Sequence, residues 1–256
     1  MTIKASSNEE ILFAVSEVFD RVRLGNSDNL LNALVVVDKA MHKGYSVINY
    51  VVDYEMQELC DFVNEFKAYL KHTESRFHQA RIKVLIYCHI LEADLPLTIF
   101  WNLLRVVKGE TCDWTFHRIT KNGDKQVCQY PREKVDELRS RSEQLDMKIG
   151  TILDSLWQGK LRNAFNHSQY CWMGDTLTAT SSLSPLSRKD VEKKGNPTFT
   201  FDDIELLYQG AINLLYYFTE AYRIAIAPFK DGNAHAVDSG WIIWDSEGGW
   251  LWKGKT

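Results

Sequence analysis

Chemically competent side chains concentrate in one short segment of the chain. Residues 155–174 contain lysine, arginine and histidine but no aspartate or glutamate, although the whole chain has a formal net charge of −4. Amides and a phenol lie among these residues, and the candidate set is Lys160, Arg162, Asn163, Asn166, His167, Gln169 and Tyr170. An arginine fork can bind two phosphate oxygens, and a histidine accepts or donates a proton near neutral pH. The segment therefore predicts a local cationic site that suits a phosphodiester.

The spacing of these residues limits how they can act together. On a regular helix Arg162 and His167 project roughly 140° apart, because each residue turns the helix by about 100°. Asn163 and His167 share a face, as do Arg162 and Asn166. A single straight helix would not easily direct Arg162 and His167 at one atom. Two arrangements remain: the helix begins or breaks near Gly159, or a second copy of the segment faces the first across a dimer.

The run at 161–170, Leu-Arg-Asn-Ala-Phe-Asn-His-Ser-Gln-Tyr, resembles the motif of the HEPN superfamily of helical-bundle proteins. That motif is an arginine, a polar residue, three further residues and a histidine, which here are Arg162, Asn163 and the residues up to His167. Many members of the superfamily are metal-independent endoribonucleases of toxin–antitoxin, abortive-infection and other antiviral systems. The resemblance implies a helical bundle of HEPN type and a homodimer whose two motifs line a cleft for RNA.

The resemblance also implies a mechanism. His167 would act as general base on the ribose 2′-hydroxyl, and Arg162 would stabilise the crowded phosphate. The product would be a 2′,3′-cyclic phosphate, with no cofactor and no metal required, and an antitoxin protein is a possible partner. The neighbouring polar side chains would orient these two groups or contact the RNA: Asn163, Asn166, Tyr170, Lys160 and Gln169.

Two other functions stay open on the sequence alone. A non-catalytic adaptor could use the same cleft for a nucleotide or a partner chain, since some motif-bearing HEPN proteins act as binding modules or scaffolds. Alternatively the motif could be structural, with the Arg162 stem covering an apolar surface and His167 capping a helix end. A buried His167 with satisfied partners and no groove would favour this structural role.

Bulk composition argues against several other classes of protein. The chain has 256 residues, 45% of them hydrophobic and 25% charged, as in ordinary globular proteins. No apolar run approaches the roughly 18 to 20 residues that cross a bilayer, so we expect no membrane partner. The net charge of −4 argues against duplex DNA. Five scattered cysteines without a Cys-x-x-Cys pair predict free thiols in a cytoplasmic protein and no structural zinc.

Hydrophobic periodicity predicts a mainly α fold, a helical bundle with small β-hairpin additions. The longest predicted helix, 131–156, has apolar residues at alternating three-and-four spacing, which suits packing in a bundle or against a second copy. Gly159 would end it, and Asp202 or Asp203 would cap the last helix. The predicted helices cover about 11–22, 30–41, 47–70, 77–91, 96–107, 131–156 and 204–227.

Three hairpins are predicted between and after these helices. They join 114–119 to 126–130 through Asn122-Gly123, 170–173 to 176–179, and the two tryptophan-rich runs of 241–252. Residues 181–195 are polar and predict a surface loop. The tail tryptophans could stack bases, but alternating Trp and Ile favour a small sheet packed on the bundle. We therefore expect one elaborated helical domain over 1–256, with a HEPN-like core over 46–228 and an aromatic hairpin tail over 229–256.

Overall fold

The computed structural model describes residues 6–25, 27–35, 50–113, 115–179, 197–237, 240–245 and 249–254. Over these residues the chain is mainly helical with small antiparallel sheets, which confirms the predicted fold class. The described helices are α1 Asn8–Gly25, α2 Ser27–Leu34, α3 Tyr50–His72, α4 Arg76–Glu92, α5 Asp94–Val107, α6 Pro131–Gln144, α7 Ile149–Leu156, α8 Gly159–Asn166 and α9 Phe201–Ile226.

All three predicted hairpins are present, and two of them have a further strand that the sequence did not predict. Strand β1, His117–Ile119, pairs with β2, Lys125–Val127. The second sheet has the order β3-β4-β5 and the third the order β6-β7-β8, all antiparallel. Their bounds are β3 Tyr170–Met173, β4 Thr176–Ala179, β5 Thr198–Thr200, β6 Ala234–Val237, β7 Gly240–Asp245 and β8 Gly249–Gly254.

The core lies where α9 packs against α1 and α4, and α1 packs against α5. Three phenylalanine rings from α1, α5 and α9 meet there edge to face, with centroids 5.0 to 6.4 Å apart: Phe19, Phe100 and Phe218. Each ring is at most 5% exposed, and burial of such a side chain stabilises a fold by about 1.5–3 kcal/mol. The tail packs on the same core, as predicted, because Val237 and Ile242 are buried in it.

One stretch, Arg76–Val107, is long and apolar enough to cross a membrane by length and composition alone. It comprises α4 and α5, which are separated at Ala93. In the fold, 67% of its most apolar window is buried. The short apolar runs of the sequence do not predict a stretch of this length. Burial inside the helical bundle explains why these two helices are so apolar.

The prediction of one helix over 131–156 was wrong, because the chain turns between α6 and α7. Asp146 takes a left-handed conformation in this turn, with φ of 51°. Gly150 lies so close to α6 that an added Cβ would come within 2.4 Å of the Arg139 Cα, and its N–H donates to the Ser142 hydroxyl at 3.1 Å. The three-and-four apolar spacing continues across the turn because α6 and α7 both face the same core.

The predicted cap of the last helix was also wrong. Thr200, one residue before α9, accepts a hydrogen bond from the Asp203 N–H at 3.1 Å, and the Asp203 carboxylate accepts one from the Thr200 N–H at 2.9 Å. This reciprocal capping box starts the helix three residues earlier than periodicity indicated. The parts of the predicted helices at 36–41 and 47–49, and the predicted loop at 181–195, lie outside the described residues.

Candidate nucleic-acid site on α8

A buried tyrosine on α4 fixes the point at which the candidate segment begins. The Tyr87 hydroxyl donates to the Leu156 carbonyl oxygen at 2.8 Å and accepts from the Gln158 N–H at 2.8 Å. These two bonds satisfy backbone groups at the end of α7 and the start of α8, which helices otherwise leave without partners. Burial raises the pKa of this phenol far above its ordinary value. The predicted helix break at Gly159 is thus confirmed, since Gly159 is the first residue of α8.

Five of the predicted site residues form one polar strip along α8. Leu161 and Ala164 are buried on the opposite side of the helix, against the core. At about 100° per residue, the strip covers roughly 160° of the helix surface. We call the following residues, in their order around the helix, the α8 strip: Arg162, Asn166, Asn163, His167 and Lys160.

Within one chain, Arg162 and His167 stand at well-separated places on this strip. The break at residues 157 and 158 lies before both of them, so it cannot turn one side chain toward the other. The first of the two arrangements expected from the sequence therefore does not bring them together. The amides of Asn163 and Asn166 lie between them on the strip.

Arg162 is held by two neighbours. Its Nε–H donates to the Glu92 carboxylate at the end of α4. Its guanidinium carbon lies 5.0 Å from the centre of the Trp157 ring, a cation–π distance. The side chain is still 19% exposed, and among the described residues neither terminal nitrogen, Nη1 or Nη2, has a hydrogen-bond partner. The terminal fork of the guanidinium therefore remains available to a ligand.

Glu92 is the site residue that the sequence did not reveal. The local segment has no acidic residue, but the fold brings this carboxylate from 70 positions away and so reduces the positive charge of the predicted patch. Its Oε1 also accepts a hydrogen bond from the Asn166 amide at 2.8 Å. The sequence offered one signal for such an acceptor: Arg162 and Asn166 share a face of the helix, so one acceptor can bind both donors. Nothing in that signal pointed to α4 in particular.

His167 lies at the other side of the strip and is exposed. It is the C-cap of α8, with φ of −97° and ψ of 7°, and its backbone N–H donates to the Asn163 carbonyl oxygen at 3.1 Å. Among the described residues, no hydrogen bond or ion pair involves its imidazole. His167 is therefore not the buried, satisfied histidine that would favour a purely structural role. Its position as the C-cap of α8 is nevertheless the position that the structural role predicted. Lys160, on the same side, is exposed as well.

Tyr170 and Gln169 follow the helix and are arranged differently from the strip. The Tyr170 ring, in β3, stacks on the Phe165 ring with centroids 5.5 Å apart and planes 16° apart. Phe165 projects roughly 60° from Arg162 and roughly 160° from His167, so Tyr170 lies on the arginine side of α8. Gln169 contributes its backbone N–H to the Ala164 carbonyl oxygen at 2.7 Å, and its side chain is half-buried.

A thiol lies beneath the site without forming part of it. Cys88 is 4% exposed, and burial followed by the charge of Glu92 raises its pKa to about 12. A thiol with that pKa carries almost no thiolate at neutral pH, so it is a poor nucleophile. No group of three or more His, Cys, Asp or Glu side chains within the described ranges is arranged to hold a metal ion.

Comparison with models of known protein families, with curated proteins and with solved structures finds no match to this chain. The resemblance to the HEPN superfamily therefore rests only on the motif residues within the α8 strip: Arg162, Asn163 and His167.

Proposed function

We propose that this protein is a metal-independent endoribonuclease of HEPN type that acts as a homodimer. One observation carries the proposal: a single polar strip combines an arginine whose terminal fork is available with an exposed histidine that has no described partner. These are the two groups that a phosphodiester transesterification needs, one to stabilise charge on the phosphate and one to accept a proton. The fold is consistent with this, since Lys160, Asn166 and His167 of the strip are exposed among the described residues.

The proposed reaction needs no cofactor. His167 removes the proton from a ribose 2′-hydroxyl while that oxygen forms a bond to the adjacent phosphorus. The bond from phosphorus to the 5′-oxygen breaks, and the leaving oxygen takes a proton from solvent. Arg162 stabilises the additional negative charge on the phosphate during this exchange. The products are a 2′,3′-cyclic phosphate and a 5′-hydroxyl.

The spacing of the strip supports the homodimer that we propose. Arg162 and His167 project roughly 140° apart from one helix, which does not easily direct both at one phosphate on the same copy. A second copy related by twofold symmetry would place its His167 opposite the Arg162 of the first, and the reverse. Lys160 and the half-buried Asn163 of both copies would then line the groove between them. Such a groove suits a single RNA strand, and the setting we propose is a cytoplasmic defence or toxin–antitoxin system.

Mixing two inactive variants tests this shared site. If each site takes Arg162 from one copy and His167 from the other, R162A and H167A proteins are inactive alone but form mixed dimers with one intact site. Random exchange of subunits would restore about a quarter of the wild-type cleavage rate. A mixture that stays inactive while subunit exchange is verified would contradict a site shared between copies.

The main alternative is a non-catalytic adaptor that binds a nucleotide or a partner chain on the same strip. The pairing of Glu92 with Arg162 favours it over catalysis, because this carboxylate lowers the positive charge available to stabilise the added negative charge of a phosphate in the transition state. Incubation of the purified protein with labelled single-stranded RNA in a chelator separates the two functions. We expect cleavage with cyclic-phosphate ends, whereas RNA that is recovered intact would favour the adaptor.

A further inference from the structure

The guanidinium of Arg162 is fixed on one edge and one face. The Glu92 carboxylate accepts from the inner nitrogen, Nε, and the Trp157 ring lies against the guanidinium. Glu92 in turn is held by the Asn166 amide. Arginine has five N–H donors in a rigid planar arrangement, so fixing Nε also fixes the directions of Nη1 and Nη2.

We propose that Glu92 and Trp157 are positioning residues that set the terminal fork of Arg162 for one phosphate of the RNA. This inference rests on the ribonuclease function proposed above. Asn166 then serves the site indirectly, since it holds the Glu92 carboxylate and does not contact substrate. The ligand chemistry is that of a phosphodiester monoanion, which two parallel N–H donors can bind in bidentate fashion.

The same contact could instead block the site, and the geometry argues against that. A carboxylate that competed with phosphate would occupy the terminal nitrogens, but the described bond of Glu92 is to Nε. The ion pair is also partly open to solvent, with the Glu92 side chain 29% exposed and that of Arg162 19% exposed. Exposed pairs contribute little net stability, so this one is better suited to directing the arginine than to holding α8 on α4.

The positioning role makes a specific kinetic prediction. A correctly placed Arg162 fork should stabilise the phosphate most in the transition state, where the negative charge of the phosphate increases. Loss of this placement should therefore lower kcat more than it changes KM. Removal of the acceptor in E92A should lower kcat by about 10- to 100-fold with little change in KM, the size of effect expected from a displacement of about 1 Å. E92Q keeps an oxygen acceptor for Nε and for Asn166, and it should recover most of that loss.

The matched control is E205A. Glu205 forms a similar ion pair, with the Lys83 Nζ at 2.5 Å, on a different part of the fold. This variant should leave kcat unchanged. Equal losses in E205A and E92A, or a loss in E92A that disappears when rates are corrected for the folded fraction, would show a structural effect and overturn the proposal. Faster cleavage by E92A would overturn it too, because it would identify Glu92 as a brake.

A second measurement distinguishes failure of the positioning proposal from failure of the ribonuclease proposal. In ¹⁵N-arginine-labelled protein, the Nε–H signal of Arg162, assigned by its absence in R162K, should exchange slowly with water. E92A should make that exchange much faster, and E92Q should not. If the wild-type protein cleaves no RNA, the ribonuclease proposal fails whatever the exchange result. If exchange is unaffected by E92A, Glu92 does not fix the arginine and the positioning proposal fails.

Discussion

Two regions of this molecule place arginine beside glutamate and tryptophan, and they use that combination differently. On α8, Arg162 lies by Trp157 and donates to Glu92. Next to the β1–β2 hairpin, two arginines lie over the buried ring of one tryptophan and share one glutamate. Those residues are Arg105, Arg141, Trp101 and Glu110, with guanidinium carbons 4.6 and 5.8 Å from the ring centre.

The difference lies in what the arginine nitrogens bind. At the hairpin, the Arg105 Nε donates to the Thr111 carbonyl oxygen at 2.7 Å, and the Arg141 Nε donates to Glu137 at 2.7 Å. Arg141 also donates a terminal nitrogen to Glu110 at 2.9 Å. The Arg105 and Arg141 side chains are only 9% and 7% exposed, so their nitrogens bind protein groups and are not available to a ligand. The α8 arginine keeps its terminal fork free of described partners, and that contrast separates a binding group from a structural one.

The largest expected difference is in stability. R141A leaves the largely buried Glu137 carboxylate without its partner and removes one of the cations that pair with Glu110, which keeps Arg105 and Lys108. We expect it to lower the free energy of unfolding by about 3–5 kcal/mol. R162A removes a partly exposed pair and should cost only about 1 kcal/mol. Urea unfolding of both variants measures the two values. Equal losses would mean that Arg162 is as structural as Arg141, and the comparison would fail.

A smaller effect is expected from the tyrosine that anchors α8. Y87F removes the hydroxyl that serves both Leu156 and Gln158, and it should lower the free energy of unfolding by about 1–3 kcal/mol, since two backbone groups lose their partner. RNA cleavage, measured where the variant is folded, should also fall because α8 is no longer fixed. Lost stability with unchanged cleavage would show that the start of α8 does not matter to the site.

The smallest effect concerns pH. Burial alone would raise the pKa of Glu110, but its contacts with Arg141, Lys108 and Arg105 together outweigh this and hold the pKa below its ordinary value of 4.5. The carboxylate therefore stabilises the fold fully above pH 4.5, and that contribution is lost as pH falls through the lower folded-state pKa. E110Q should show a weaker loss of stability below pH 4.5 than the wild-type protein. An identical acid dependence would exclude Glu110 as a contributor.

Local patterns predicted much of the fold, and tertiary contacts account for what they missed. The helix break near Gly159 and the three hairpins could be predicted, because the glycine and turn signals that mark them act over a few residues. The turn between α6 and α7 could not, since both helices keep their apolar residues in phase. It depends on the close approach of Gly150 to Arg139, which only the folded chain reveals.

The candidate site was predictable to the same extent. The strip from Lys160 to His167 could be derived from helical spacing, because its residues lie on one short helix. Glu92 could not, because its contact with Arg162 joins residues 70 positions apart. The third strands of two sheets, β5 and β6, escaped prediction for a different reason: three or four residues carry too little periodicity to indicate a strand.

The most direct test of the proposed function is single-turnover cleavage of labelled single-stranded RNA in the presence of EDTA. The wild-type protein should cleave and leave 2′,3′-cyclic phosphate ends. H167A and R162A, compared at equal folded fraction, should be at least about 100-fold slower, the effect expected from loss of a general base or of a charge-stabilising donor. Undiminished cleavage by both variants, or cleavage that requires added metal, would contradict the assignment of catalysis to Arg162 and His167.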